Sequence, residues 1–265
     1  MKRFVPFLSS DPVVAVIRLQ GIIATGGAGR LNDAAVAPLI EKAFRRGRPR
    51  AVALMLNSPG GSPVQSSLIA GRIRRLADEK RVPVIAFVED VAASGGYWLA
   101  SAADEIFADA TSIVGSIGVI SAGFGFNEFI ERHGVKRRVY TAGRSKSMLD
   151  PFRPEDPQDV ARLRQLQDQI HDAFIAQVKA RRGPRLSDDP GLFTGQVWVG
   201  ERARAVGLID GIGHMVPEMK RRFGDKVRFS GYRQRRPLLA RLGMGVAEAA
   251  LAGIEDRAAY ARFGL

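Results

Sequence analysis

The sequence predicts an α/β fold with a mostly parallel sheet. Short apolar runs rich in β-branched residues alternate with segments in which apolar residues recur at helical spacing, and turn residues separate them. This alternation is typical of βαβ units, which combine parallel strands with right-handed crossovers. The chain has 265 residues, 46% of them hydrophobic, which is enough apolar material to bury a core.

Six short runs are predicted to be strands. The first is β-branched and ends at Gly21, and the second stops at the turn signal Asn57-Ser58-Pro59-Gly60-Gly61. In chain order the predicted strands are Val13–Leu19, Ala51–Leu56, Val82–Val88, Glu105–Ala108, Val114–Ile120 and Val135–Thr141.

Helical spacing marks the segments between and after these strands. Leu68, Ile69 and Ile73 fall on one face of such a segment, and Asn32 or Asp33 is suited to cap the one that begins near Leu31. The predicted helices are Leu31–Phe44, Val64–Leu76, Ala93–Ala103, Phe126–His133, Pro154–Arg182 and Val216–Phe223.

The predicted domain organisation is one domain over residues 1–235 and an amphipathic C-terminal tail over 236–265. From Lys220 to Arg241 there are nine basic residues and one acidic residue, Asp225. The tail is therefore either a contact for an anionic membrane or a partner, or a solvated basic terminus.

Charge and cysteine content narrow the function classes. The net charge of +13 and pI of about 10.8 suit nucleic acid, an anionic membrane or acidic substrates. The absence of cysteine excludes disulfides and thiolate nucleophiles. No apolar run reaches the length of about 18 residues that spans a bilayer. We expect a cytoplasmic protein or one peripheral to the inner membrane.

Two glycine-rich turns follow two predicted buried strands. Gly60 and Gly61 in the first turn allow positive φ and close backbone approach, which would aim amide groups into a cleft. In the second turn, Ser94-Gly95-Gly96, the serine lies between a strand and a helix. Ser94 is either a helix N-cap or a nucleophile whose oxyanion would meet the free amides of the helix start.

A serine nucleophile needs a base, and the three histidines lie outside any motif. Lysine can replace histidine where its amine is held neutral. Lys146 follows a predicted strand, in a glycine-containing loop with small neighbours. It is either this base or an ordinary surface lysine.

Five blocks in order resemble the SppA/SohB (signal peptide peptidase A) family of Ser–Lys peptidases, in its short single-repeat form. The similarity covers residues 13–229, and the blocks are NSPGG at 57–61, ASGGYWLA at 93–100, GSIGVI at 115–120, TAGRSKSMLDPF at 141–152 and FTGQVWVGERARAVGLIDGIG at 193–213. The resemblance implies a ClpP/crotonase-like spiral of βαβ units.

The resemblance also implies a role for each matching residue. Ser94 matches the nucleophile, Lys146 the general base, and Ser116 a serine that orients the lysine. Gly61 and Gly95 match the oxyanion-hole amides, with Gly60 as the alternative to Gly61. Support or pocket roles fall to Asn57, Tyr97 and Trp98.

Hydrolysis of released signal peptides or unfolded protein segments is the implied reaction, without metal or cofactor. The family further implies a homo-oligomeric ring or dome. Three rivals stay open: a crotonase-like acyl-CoA enzyme, an inactive scaffold, and a nucleic-acid binder. The last rests on charge alone, because no aromatic–basic interleaving supports it, and we expect no nucleic acid partner.

Overall fold

The computed structural model describes residues 11–26, 30–143, 145–234 and 246–265. Two compact units divide the chain: residues 1–117 with 175–265 form the first, and residues 118–174 form the second. The division predicted at residue 235 stays a prediction, and residues 235–245 lie outside the described ones.

An eight-stranded sheet organises the first unit. Its strands are β1 (Val13–Gln20), β2 (Ala51–Ser58), β3 (Val84–Ala93), β4 (Glu105–Ala108), β5 (Ile113–Gly115), β6 (Val197–Val199), β7 (Gly211–Ile212) and β8 (Arg228–Tyr232). They run in the order β6-β5-β3-β2-β1-β8, and β4 bridges β3 and β7. All pairings are parallel except that of β5 with β6.

Eight α-helices accompany these strands in the described residues. They are α1 (Asp33–Arg45), α2 (Pro63–Lys80), α3 (Gly95–Ala100), α4 (Asn127–Arg132), α5 (Pro157–Arg182), α6 (Gly200–Ala205), α7 (Met215–Phe223) and α8 (Val246–Ala261). The predicted N-cap of α1 is confirmed, because the Asn32 side chain accepts a hydrogen bond from the Ala35 amide at 2.9 Å.

Strands β1, β2 and β3 form the centre of the sheet and are buried along most of their length. Such strands are covered on both faces, which is why they appear in the sequence as nearly continuous apolar runs. Register then fixes where the glycine-rich turns lie. Ser58 pairs with Ala92, and Ala93 pairs with Gly115, so both turns leave the carboxyl edge of the sheet side by side. In open parallel sheets this edge is where ligands bind.

Two predicted strands are wrong in whole or in part. Residues 135–141 form no strand: they are exposed and irregular, and a strand is not stable without a neighbour to pair with. The strand predicted over Val114–Ile120 ends at Gly115, because Ser116 has a φ of +52° that breaks the extended backbone. Strand β8, which pairs with β1, was not predicted, since its sequence is charged and contains glycine.

A buried ion pair fastens the end of α5 to the sheet. Arg182 is 2% exposed and binds Asp210 through Nη1–Oδ2 and Nη2–Oδ1 contacts of 2.7 and 3.1 Å. Asp210 also accepts the Ile106 amide of β4 at 2.7 Å. Burial alone would raise the pKa of Asp210, but the hydrogen bonds from Arg182 and Ile106 outweigh it and hold that pKa below its usual value.

Replacing Asp210 with asparagine leaves Arg182 buried without a counter-charge. We expect a loss of about 3 kcal/mol in the free energy of unfolding, measured in urea at neutral pH. The exposed Asp225, replaced in the same way, should change it by less than about 0.5 kcal/mol.

A pH series adds a second test. The lowered pKa of Asp210 contributes stability at neutral pH that is lost as pH falls below about 4. The asparagine variant should therefore approach the wild type in stability toward acid pH. An unchanged difference across that range would contradict the ion-pair explanation.

Candidate active site

Ser94 occupies a sharp turn between β3 and α3. Its φ and ψ are +51° and −122°, a conformation that non-glycine residues rarely adopt. The turn is held on both sides, because the Ser94 amide donates to the Gly115 carbonyl at 2.8 Å and the Ser94 carbonyl accepts from the Trp98 amide at 3.0 Å. Backbone strain that the surroundings enforce in this way is found mostly at functional sites.

The Ser94 side chain does not cap the helix that it precedes. No cap hydrogen bond joins its hydroxyl to the amides of α3. Ser94 thus occupies the N-cap position without using its side chain as a cap, and its hydroxyl is left for another use. Ser94 is half-buried, while all six residues of α3 are buried.

Backbone segments approach each other closely around Ser94, at positions that only glycine can fill. A Cβ atom on Gly60 would lie 2.8 Å from the Ser94 Cβ, and one on Gly61 would lie 2.0 Å from the Ile23 carbonyl oxygen. A Cβ on Gly95 would lie 2.4 Å from the Ser66 hydroxyl and 3.3 Å from the Gly61 amide. The Gly61 and Gly95 amides therefore lie near one another beside Ser94.

Neither of these two amides donates a hydrogen bond within the described part of the chain. Gly95 is a buried residue, and no acceptor for its N–H group is found among the described residues. A pair of free amides beside a serine hydroxyl is the arrangement that stabilises the oxyanion in acyl transfer. The Gly60 amide differs, since it donates to Ser58 Oγ at 3.2 Å. Gly61 is thus better suited than Gly60 to this role.

The first glycine turn is fastened to the segment that follows β1. The Ile23 amide donates to the Gly60 carbonyl at 2.9 Å, and the Ser62 amide donates to the Ile23 carbonyl at 2.7 Å. Ser58 Oγ also donates to the Gly21 carbonyl at 2.7 Å. These bonds fix the direction of the Gly61 amide before any ligand binds.

Ser116 lies beside Ser94 because β3 and β5 are paired. The Gly115 carbonyl accepts from the Ser94 amide, and Ser116 is the next residue, half-buried with a φ of +52°. Its own amide donates to the Gln196 carbonyl at 2.8 Å. Strand pairing therefore brings Ser94, Ser116, Gly60, Gly61 and Gly95 together within the first unit.

The three residues given support or pocket roles differ in burial. Tyr97 is fully buried, its hydroxyl donates to the Leu208 carbonyl at 2.8 Å, and burial raises its pKa. It supports α3 and is not part of an open pocket wall. Trp98 is 8% exposed. Asn57 donates through Nδ2 to Asp90 at 2.5 Å, while its Oδ1 is buried without a described partner.

A contact that was not predicted from the sequence joins α8 to the end of β2. The Tyr260 hydroxyl donates to the Asn57 carbonyl at 2.8 Å, and burial raises the pKa of Tyr260 to about 12. Arg30, whose side chain is 8% exposed, is paired with Glu255 and Asp256 of α8. Arg30 follows a glycine-rich segment in the sequence, which gives no sign that its side chain is buried against acidic partners.

Lys146 belongs to the second unit, where it lies exposed in a turn and its amide donates to the Gly143 carbonyl at 3.2 Å. Its role as base stays a prediction, and its neighbour Arg144 lies outside the described residues. In the first unit, His214 is exposed and bound to Asp109 at 3.0 Å.

Comparison with solved structures shows the class of fold. The chain resembles a mutant form of a protein described as the 1510-N membrane-bound stomatin-specific protease, with a TM-score of 0.51 and 16% identity over 83% of this chain and 98% of that one. The α/β fold of ClpP-like type predicted from the sequence is confirmed.

The sequence model of peptidase family S49 matches residues 76–222, and the chain belongs to that family. This confirms the resemblance to the SppA/SohB group. A putative signal peptide peptidase SppA of Enterococcus faecium is 27% identical over 78% of this chain and 61% of its own length.

A Brucella melitensis protein described as the Na(+)/H(+) antiporter NhaA is 48% identical over the whole of this chain but only 39% of its own length. The chain thus spans less than two thirds of either relative. In the described part of this chain, no helix has the length and apolar character to cross a membrane.

The packing of Gly95 on Ser66 gives a test of the site geometry. Alanine at 95 would clash with the Ser66 hydroxyl, and we expect a loss of about 2 kcal/mol in the free energy of unfolding. The double variant Gly95→Ala/Ser66→Ala should recover part of this loss. Its loss in the free energy of unfolding should therefore be smaller than the sum of the losses in the two single variants. Ser66→Ala should not rescue Gly61→Ala, because the alanine side chain at position 61 would clash with the Ile23 backbone. Additive losses in urea unfolding would contradict the described contact.

Proposed function

We propose that this chain is a serine endopeptidase with a Ser–Lys dyad formed by Ser94 and Lys146. The observation that carries the proposal is the strained Ser94, whose hydroxyl is not used as a cap and stands beside two amides that have no acceptor among the described residues. Membership of peptidase family S49 supports the reaction class. A crotonase-like acyl-CoA reaction is less well supported, since it needs the amides but not the serine.

In the proposed mechanism, Ser94 Oγ attacks the scissile carbonyl and gives its proton to the Lys146 amine, which Ser116 orients. The Gly61 and Gly95 amides hold the oxyanion, and one such donor contributes about 3 kcal/mol to the transition state. The lysine then protonates the leaving amine, and water hydrolyses the acyl-enzyme by the same steps in reverse order. These residues act without a metal or cofactor.

We also propose that the chain acts as a homo-oligomer, in a ring or dome. The described residues from 118 to 173 are all exposed or half-buried. Among them Phe124, Phe129 and Tyr140 are 81%, 61% and 89% exposed, which is unusual for large apolar side chains in water. Another copy that covers this unit would also remove water from Lys146, and burial of an amine favours its neutral form.

The proposed substrates are released signal peptides and unfolded protein segments, and the name of the Enterococcus relative supports this class. The antiporter-named relative supports a place at a membrane, because in that protein a segment similar to this chain is part of a longer chain with a transporter name. We therefore propose a location in the cytoplasm or on the surface of the inner membrane.

Substitutions at Ser94 separate its chemical role from its structural one. Ser94→Ala should abolish cleavage of a fluorogenic apolar peptide and leave stability within about 0.5 kcal/mol, because alanine keeps the same backbone strain. Ser94→Gly should also be inactive but more stable by about 1 kcal/mol, because glycine relieves that strain. Ser187→Ala is the matched control and should stay active. Retained hydrolysis in Ser94→Ala would refute the assignment.

Substitutions at Lys146 test the base. Both Lys146→Ala and Lys146→Arg should lose at least about 100-fold in kcat, the size of a general-base effect, because arginine stays protonated. Lys136→Ala, which removes another exposed lysine of the second unit, should retain activity. A fluorophosphonate probe measures the same step at Ser94 without a substrate. Rapid labelling of Lys146→Arg would exclude the lysine as base.

A further inference from the structure

A basic hollow lies at the edge of the sheet opposite the candidate active site. It has a volume of about 410 Å³ and lies where α1 and α2 end and where β2 and β3 begin. Five of the residues that line it are cationic, and none is acidic: Arg45, Arg48, Arg50, Lys80 and Arg81. The hollow lies entirely within the first unit.

No acidic partner for this basic hollow is found in the part of the chain that the structure describes. Within the described residues, none of the five cations has a carboxylate oxygen within 4.0 Å. The acidic residues that directly precede Lys80 and Arg81 in the sequence already have partners. Asp78 is paired with Arg74, and Glu79 is paired with Arg75. On α2 itself, Arg72, Arg74 and Arg75 are all ion-paired, whereas no ion pair is described for Lys80 or the C-cap residue Arg81.

The backbone conformation at the rim of the basic hollow also indicates a ligand site. Arg48 and Arg81 have φ values of +47° and +54°, in the left-handed region where glycine or asparagine is preferred. Arg81 is the C-cap of α2, and Arg48 follows Gly47, which also has positive φ. An arginine at both positions costs backbone strain, and no ion pair with a described residue offsets that cost. A ligand that binds the guanidinium groups would account for their presence.

Interaction with the helix ends explains only part of the set. Arg45 and Lys80 lie in the last turns of α1 and α2, where cations interact favourably with the helix dipole. Arg48 and Arg50 lie beyond α1 in the chain that leads to β2. Arg228, which begins β8, adds an exposed cation at the same edge, because β8 and β1 pair through Arg228 and Val13.

We propose that the basic hollow binds phosphate headgroups of anionic phospholipids and holds this edge of the sheet against a membrane. Guanidinium groups are suited to bidentate phosphate recognition, and the cations continue along the edge beyond the hollow, as a flat anionic surface requires. Nucleic acid is less well supported: the one aromatic residue that lines the hollow, Phe44, is 3% exposed and offers no surface on which a base could stack.

The orientation has a consequence for substrates. The candidate active site opens at the carboxyl edge of the sheet, and the basic hollow lies at the amino edge. A chain held by its basic hollow would present Ser94 away from the bilayer. Peptides already released into solution would then reach the serine more readily than peptides still embedded in the membrane.

The test is sedimentation of the full chain with vesicles of phosphatidylcholine alone or mixed with phosphatidylglycerol. The double variant Arg48→Asn/Arg81→Asn removes two cations while placing at both positions a residue that tolerates left-handed backbone. We expect its partition onto phosphatidylglycerol vesicles to fall roughly 25-fold, about fivefold for each cation lost. Its melting temperature should stay the same or rise.

The control with the same change in net charge is Arg202→Gln/Arg204→Gln, which removes two exposed cations from α6, of which Arg204 is ion-paired with Glu201; it should change the partition less than about twofold. Equal losses in both double variants would overturn the proposal, because net charge alone would then explain the binding. Equal binding of wild type to neutral and anionic vesicles would overturn it as well.

Two further measurements would show that the basic hollow binds a ligand other than lipid. Binding of a single-stranded oligonucleotide that the hollow variant loses, without vesicle binding, would replace lipid with nucleic acid. A rise in melting temperature with inorganic phosphate, without vesicle binding, would indicate a small phosphorylated ligand instead. Peptide cleavage by the hollow variant in solution should equal that of the wild type, so failure of the lipid proposal is distinguishable from failure of the peptidase proposal.

Discussion

The close approach of two backbone segments at Gly60 and Gly61 determines the rest of the candidate site. Parallel pairing of β2, β3 and β5 brings the ends of these strands to one edge, and only residues without a side chain allow the first turn to meet both Ser94 and Ile23. The same contact fixes the Gly61 amide, while hydrogen bonds with Gly115 and Trp98 hold Ser94 in its strained conformation. Sheet topology, turn composition and the position of the Gly61 amide are thus one constraint.

How much the sequence revealed depends on where the determining contacts lie. The central strands, α2 and the Asn32 cap rest on local patterns of burial and capping, and they were predictable. The two glycine-rich turns that carry the amides beside Ser94 were recognisable in the sequence, because adjacent glycines mark backbone that can adopt positive φ and approach other segments closely. The pairing of Tyr260 with Asn57 joins residues 203 positions apart and was not predictable. The failed strand at 135–141 has strand-forming residues but no described partner strand.

The two units differ in what stabilises them. The first has a continuous buried core and several buried polar anchors, among them the Arg182–Asp210 pair. The second has none of its described residues from 118 to 173 buried, although it carries the loop with Lys146. Ser94 therefore stands on a unit with a core of its own, whereas Lys146 stands on a unit whose described residues from 118 to 173 stay accessible to water.

The contacts of β8 and α8 also bear on biosynthesis. Strand β1 gains its second neighbour only when residue 228 has been made, and the Asn57 carbonyl meets the Tyr260 hydroxyl later still. A nascent chain emerging from the ribosome has therefore translated both glycine turns long before it can complete the packing around them. Such an order of events leaves the two glycine turns without their full packing until translation of this segment is nearly finished.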